Sequence, residues 1–228
     1  MNERQAHALP TGFANLDRAL GLGGFPRGRI VEIFGPTSSG KTALALQCAG
    51  NLQRRRETVV WIDAEHAFDP PFAAQLGVDL AAMPIAQPDS AEEAMEMARR
   101  LAASGAVDLI FIDSAAALAP ELELQAGIDG GSLQSRVLGS ELRKLALVAT
   151  RTAACIVFLN QVRTHMEAAG EPETTAGGPS LKLHAAVRIA LGAKGRLVRF
   201  RIVRNQLASA FATGELEWRP GMGFREHP

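Results

Sequence analysis

Cysteine, net charge and long apolar runs are all scarce in this 228-residue chain, and each shortage excludes something. There are two cysteines, Cys48 and Cys155, far apart and each in apolar surroundings. They read as buried core thiols rather than as a disulfide framework or a metal site. Lysine plus arginine and aspartate plus glutamate both number 24, so no overall positive field favours nucleic acid, and any DNA contact needs a local patch. No segment approaches the ~18 apolar residues of a membrane span, and the opening MNERQAHALP has no apolar signal core. A reducing cytoplasm is the expected compartment. Repeats, linkers and low-complexity segments are lacking too, so a single domain over residues 1–228 is expected. The 47% hydrophobic content is enough to bury a sizeable core.

What is present is an alternation. RIVEIFG (29–35), TVVWID (58–63), VDLIFID (107–113) and AACIVFLN (153–160) are short, nearly continuous apolar runs, as in strands covered on both faces. Helical patterns separate them: KTALALQCAGNLQRR, SAEEAMEMARRLAAS and SRVLGSELRKLALVATR. This βαβ order predicts an α/β fold with a mainly parallel sheet, right-handed crossovers and helices on both faces. Near the carboxyl end, two alternating strands flank Lys194-Gly195 and read as a hairpin, adding antiparallel strands. The longest irregular piece is the polar stretch 167–180, EAAGEPETTAGGPS, too poor in apolar side chains for a core strand.

The sharpest chemistry follows the first of these strands. Gly35-Pro36-Thr37-Ser38-Ser39-Gly40-Lys41-Thr42 matches G-x-x-x-x-G-K-[ST] in full, with a strand before it and a helix after it. Such a loop curls backbone N–H groups around phosphates at a helix amino terminus. Lys41 would reach the β and γ phosphates of ATP, and the Thr42 hydroxyl would hold Mg²⁺. Asp113, ending VDLIFID at the carboxyl edge of the sheet, is the second metal anchor. Glu65, in IDAEHAFDP, lies just past another strand and could orient and deprotonate a water for attack on the γ phosphate. His66 beside it reads as a packing or hydrogen-bonding residue.

These residues carry a resemblance. GRIVEIFGPTSSGKT, IDAEHAFDP, the strand ending in Asp113, LNQ at 159–161 and PETTAGG followed by LK together resemble the ATPase core of the RecA recombinases, from about residue 9 to residue 220. The resemblance implies a RecA-like P-loop fold. It also implies that Glu65 is the catalytic carboxylate and that Gln161 senses the γ phosphate. Asp69 and Phe72 match residues near the adenine, Phe72 offering a ring to stack. GIDGGSLQSR and the segment 162–178 match two DNA-facing loops. Arg136 and Arg143, with the Gly177-Gly178 turn, would meet the phosphate backbone of single-stranded DNA without regard to sequence.

The chain departs from that family in three places. Where family members carry bulky apolar side chains that wedge between base steps, this chain has Thr164, His165, Met166, Glu167, Ala168 and Ala169, of which the alanines cannot fill such a gap, and Gly130-Gly131-Ser132 give the first loop no large side chain at its tip. The pair of basic residues that a neighbouring subunit extends to the γ phosphate is matched here by Arg204 and Gln206, so one charge is kept and one is lost. Leu183 and His184 stand where aromatic residues are usual at the subunit contact. Short flanks on either side of the core lead to the expectation that the oligomerisation segment and carboxyl-terminal domain of RecA are lacking. That pattern is similar to ImuA-type accessories of translesion synthesis in the damage-induced response, which partner an inactive, ImuB-like polymerase homologue. Two other readings stand beside it: a minimal recombinase with DNA-dependent ATPase, and a KaiC-like ATP-binding module unrelated to DNA.

Overall fold

The computed structural model describes residues 8–118, 131–163, 174–175 and 179–226. Among them lies one large mixed sheet built on strands β3 (Ile30–Gly35), β4 (Val59–Asp63), β6 (Leu109–Asp113) and β7 (Cys155–Arg163). Strand β5 (Ile85–Ala86) forms one edge beside β4, and β9 (Val187–Lys194), β10 (Leu197–Asn205), β11 (Thr213–Arg219) and β12 (Gly223–Glu226) extend the other side. The order is β12-β11-β10-β9-β3-β7-β6-β4-β5, with β8 (Thr174–Thr175) paired to the end of β7. A separate two-stranded ribbon joins β1 (Ala8–Leu9) to β2 (Phe25–Pro26), with helix α1 (Ala14–Leu20) between them in the chain.

The apolar runs are strands because both their faces are covered, and the period of two divides each run between two cores. Val31, Ile33, Val59, Trp61, Leu109, Phe111, Val157 and Leu159 face one cluster together with the apolar side of α2 (Lys41–Arg54). Ile30, Val60, Ile62, Ile110, Ile112, Ile156 and Phe158 face the other, under α4 (Ala91–Ala103) and α5 (Gly131–Thr152). Cys48 and Cys155 are fully buried in the first cluster, and burial pushes both thiols well up from their ordinary range. Trp61 carries much of that side, its ring 5.2 Å from Phe111 and 5.9 Å from Phe68. Truncating so large a buried side chain to alanine costs about 3–5 kcal/mol.

Three features differ from the expectation. Strand β9 runs parallel to β3, so the antiparallel part of the sheet begins only at β10. The β9–β10 register pairs Lys194 with Leu197, which puts the turn at Gly195-Arg196 rather than at Lys194-Gly195. Strands β11 and β12 are not among the expected strands: β11, which alternates Glu215-Leu216-Glu217-Trp218-Arg219, pairs antiparallel to β10, and β12 pairs antiparallel to β11 and closes the sheet. Their register rests on tight packing: a side chain at Gly214 would lie 2.3 Å from the Phe200 ring. No helix among the described residues is long and apolar enough to cross a membrane.

Candidate nucleotide site

Strands β3, β4, β6 and β7 all end on the same side of the parallel sheet, so the turns leaving them meet there. The loop after β3 leads into the amino terminus of the 14-residue helix α2. Its geometry needs glycine twice. A Cβ at Gly35 would lie 2.3 Å from the Leu191 carbonyl oxygen, and Gly40 has φ +89 with the Phe224 ring 2.8 Å from where its Cβ would be. Gly40 caps α2 without any side-chain hydrogen bond, so the first helical N–H groups are not taken by a capping side chain. Pro36, Thr37 and Ser38 are exposed, while Ser39 is buried and its N–H donates to the Pro36 carbonyl at 3.2 Å. Lys41 donates its ammonium to the Pro36 carbonyl at 2.8 Å and to the Gly35 carbonyl at 3.1 Å. Burial pulls the Lys41 ammonium below its ordinary value, against the opposing charges of Asp113 and Glu65.

Two carboxylates frame the mouth of this loop. The Thr42 hydroxyl donates to Asp113 Oδ2 at 3.0 Å. Burial, together with the charges of Glu65 and Asp63, pushes Asp113 up to about 7. Glu65 leaves β4 in a turn whose first N–H groups, those of Ala64 and Glu65, both donate to the Asp113 carbonyl. Its Oε1 accepts from the Ser114 hydroxyl and, at 3.4 Å, from the Gln161 side-chain amide. Hydroxyl, carboxylate and concentrated negative charge are a donor set suited to a hard divalent cation.

Further round the cleft, Asp69 caps α3 (Pro70–Gln75) by accepting from the Phe72 N–H at 3.0 Å. Phe72 is half-buried, its ring 6.2 Å from Trp218 on β11. The cleft, about 110 Å³, is lined by Thr42, Trp61, Glu65, Asp69, Phe72 and Asp113 among others. His66 has φ +53, and its Nε2 sits 3.0 Å from the Pro88 carbonyl, which holds the turn in place.

Arg204, on β10, is half-buried and donates to the Lys182 carbonyl, apart from this cleft. Arg143 is exposed on α5. Arg136 belongs to the first turns of α5, its side chain outside the described residues, and Gly177 and Gly178 lie outside them as well. Sequence reading missed three contributors. Asp63, buried at the end of β4, accepts from the N–H groups of Ala67 and Phe68 and from the Gln87 amide, pinning the turn that carries Glu65. Ser114 follows Asp113 directly, but nothing in its neighbours announces a bond to Glu65. Trp218 is brought to Phe72 only by strand pairing.

A strand, a glycine-bounded loop and a helix, with a lysine inside the loop and carboxylates at the ends of neighbouring parallel strands, define a P-loop nucleotide-binding protein of RecA-like fold. The RecA N-terminal domain model matches residues 1–225. Protein RecA of Thermus thermophilus is 44% identical over 237 residues, covering 98% of this chain and 70% of that protein. Protein RecA of Treponema pallidum is 44% identical over 230 residues, covering 95% and 56%. For Leifsonia xyli the values are 44% over 228 residues, 94% and 64%. The chain belongs to the RecA family.

Proposed function

We propose that this protein binds ATP with Mg²⁺ at the loop 35–42, hydrolyses it slowly, and binds single-stranded DNA through its phosphates as an accessory in DNA repair and damage-induced mutagenesis. The observation that carries the reading is the convergence of Lys41, Thr42, Asp113, Glu65 and Gln161 at the ends of four parallel strands. The loop N–H groups and the α2 amino terminus bind the phosphates, and Lys41 exchanges its loop carbonyls for phosphate oxygens. Thr42 and Asp113 are the residues that would hold Mg²⁺, which when bound neutralises charge on the phosphates. Phe72 and Trp218 offer rings to the base, with Asp69 nearby. In hydrolysis, water oxygen forms a bond to the γ phosphorus as the bond to the ADP oxygen breaks, and Glu65 takes the water proton. Gln161, whose amide donates to Glu65, would register whether the γ phosphate is present.

Slow turnover and the accessory role rest on the chain's own departures. Of the two positions that would reach a neighbour's γ phosphate, Arg204 is charged and Gln206 is not. A trans cation contributes about 10³–10⁵ in rate, so an incomplete pair should hold turnover down. Leu183, 66% exposed on α6 (Pro179–His184), presents an aliphatic rather than an aromatic contact. Arg136, Arg143 and the Gly177-Gly178 turn would contact DNA phosphate, giving binding without sequence preference. The edge of β5, which among the described residues pairs only with β4 and has Ile85 40% exposed, would accept a strand from a partner such as an ImuB-like inactive polymerase. A minimal recombinase is the second reading, favoured by the 44% identity to RecA proteins along nearly the whole chain. ATPase, strand-exchange and sedimentation assays with and without single-stranded DNA separate the two. DNA binding with slow turnover and no long filaments supports the accessory; filaments with DNA-stimulated turnover and exchange overturn it.

A further inference from the structure

A charged pair is buried in the middle of the sheet. Glu32 on β3 is fully buried and accepts from the Arg188 guanidinium on β9, itself only 6% exposed and lying 4.4 Å over the Phe34 ring. A buried charge pair is often no more stabilising than apolar residues of the same volume, so stability alone is weak ground for it. Its other contact is informative. The second Glu32 oxygen accepts from the Asn160 side-chain amide at 2.8 Å, and Asn160, also fully buried, stands on β7 next to Phe34 in the register.

The pair fixes which way the Asn160 amide points. With its NH₂ held by Glu32, the Asn160 oxygen faces the next residue and accepts the backbone N–H of Gln161 at 2.8 Å. Gln161 then reaches Glu65 at 3.4 Å. A line of polar contacts thus runs Arg188–Glu32–Asn160–Gln161–Glu65 across β9, β3 and β7 to the candidate nucleotide site. Neutral replacement of the pair would take from the Asn160 NH₂ the carboxylate that accepts from it, and so weaken the hold that aims the Asn160 oxygen at the Gln161 N–H.

We infer that Asn160 is a positioning residue: anchored by the buried Glu32–Arg188 pair, it sets the backbone of Gln161 so that the Gln161 amide meets Glu65. This rests on the reading of Glu65 and Gln161 as nucleotide-responsive groups. The test compares wild type, Asn160→Ala, Gln161→Ala, the double variant, and Glu32→Leu/Arg188→Met, in which an apolar pair refills the sheet interior. In nucleotide-free protein, amide exchange at Gln161 should quicken about tenfold in Asn160→Ala and in the apolar-pair variant, without a general loss of protection. The preference for a slowly hydrolysed ATP analogue over ADP should fall in Asn160→Ala by about as much as in Gln161→Ala, with no further fall in the double variant. ATP turnover should drop about tenfold while ADP affinity stays within about twofold. Unchanged exchange at Gln161, or an Asn160→Ala effect that persists in full in the Gln161→Ala background, overturns the proposal. If Gln161→Ala leaves the preference untouched and wild type hydrolyses no ATP, the nucleotide reading fails and the proposal with it. If Gln161→Ala abolishes the preference while Asn160→Ala leaves it whole, only the proposal fails.

Discussion

Replacing Asp113 by asparagine removes a charge that the nucleotide-free fold holds at a cost. Burial, then the charge of Glu65, then that of Asp63 push the carboxyl from 3.8 to about 7, with the Thr42 hydroxyl and Lys41 pulling the other way. A folded pKa above the unfolded one means that the folded state binds the proton more tightly. The associated stability is therefore fully present below the unfolded value of 3.8 and is lost as pH rises through about 7. Each unit is about 1.36 kcal/mol, so the roughly two units between about pH 5 and the folded value set a ceiling of ~3 kcal/mol. The carboxylate touches solvent at the cleft mouth, which reduces the expected effect to about 2 kcal/mol. Asparagine keeps an oxygen for the Thr42 hydroxyl and does not titrate. The variant should therefore gain about 4–8 °C on wild type between about pH 5 and about pH 8.5 in thermal melts with chelator. Adding Mg²⁺ and ATP at the higher pH should reverse the ranking, because only wild type keeps the carboxylate for the cation. A difference between the two proteins that is the same at both pH values would refute the charge argument, and equal protection by Mg²⁺ and ATP would refute the metal role.

Lys41→Ala should abolish ATP binding in calorimetry; an unchanged affinity would remove the loop from the site. Glu65→Gln should leave ATP affinity within about twofold while turnover falls by about 10² or more, and equal turnover in the two proteins would rule out the carboxylate as base. Gln206→Lys should raise DNA-dependent turnover only at protein concentrations where subunits meet; no change in assembled protein counts against the trans pair. Arg143→Ala should weaken single-stranded DNA alike for all sequences and lower the slope of log affinity against log salt by about 0.7, a loss confined to some sequences arguing instead for base contact.

Local features are legible in the amino-acid sequence by itself. The strand, turn and helix around Gly35–Thr42 are contiguous, and their chemistry depends on backbone geometry that glycine spacing reveals directly. The same holds for Asp113, which ends an apolar run and so must lie at a strand end. The period-two division of Val31, Ile33 and Trp61 from Ile30, Val60 and Ile62 is implicit in strands covered on both faces. Strand order and direction are another matter. Whether β9 runs parallel to β3 depends on pairing across the chain, and alternation along one strand is the same for either direction. The contacts of Glu65 with Ser114 and Gln161 span 49 and 96 residues, and that of Glu32 with Arg188 spans 156. Each side chain alone reads as an ordinary polar residue beside an apolar run. Only stacking β9, β3, β7, β6 and β4 in that order makes them neighbours, because a hydrogen bond is decided by position in space, and the period of a sequence carries no information about which strand lies alongside.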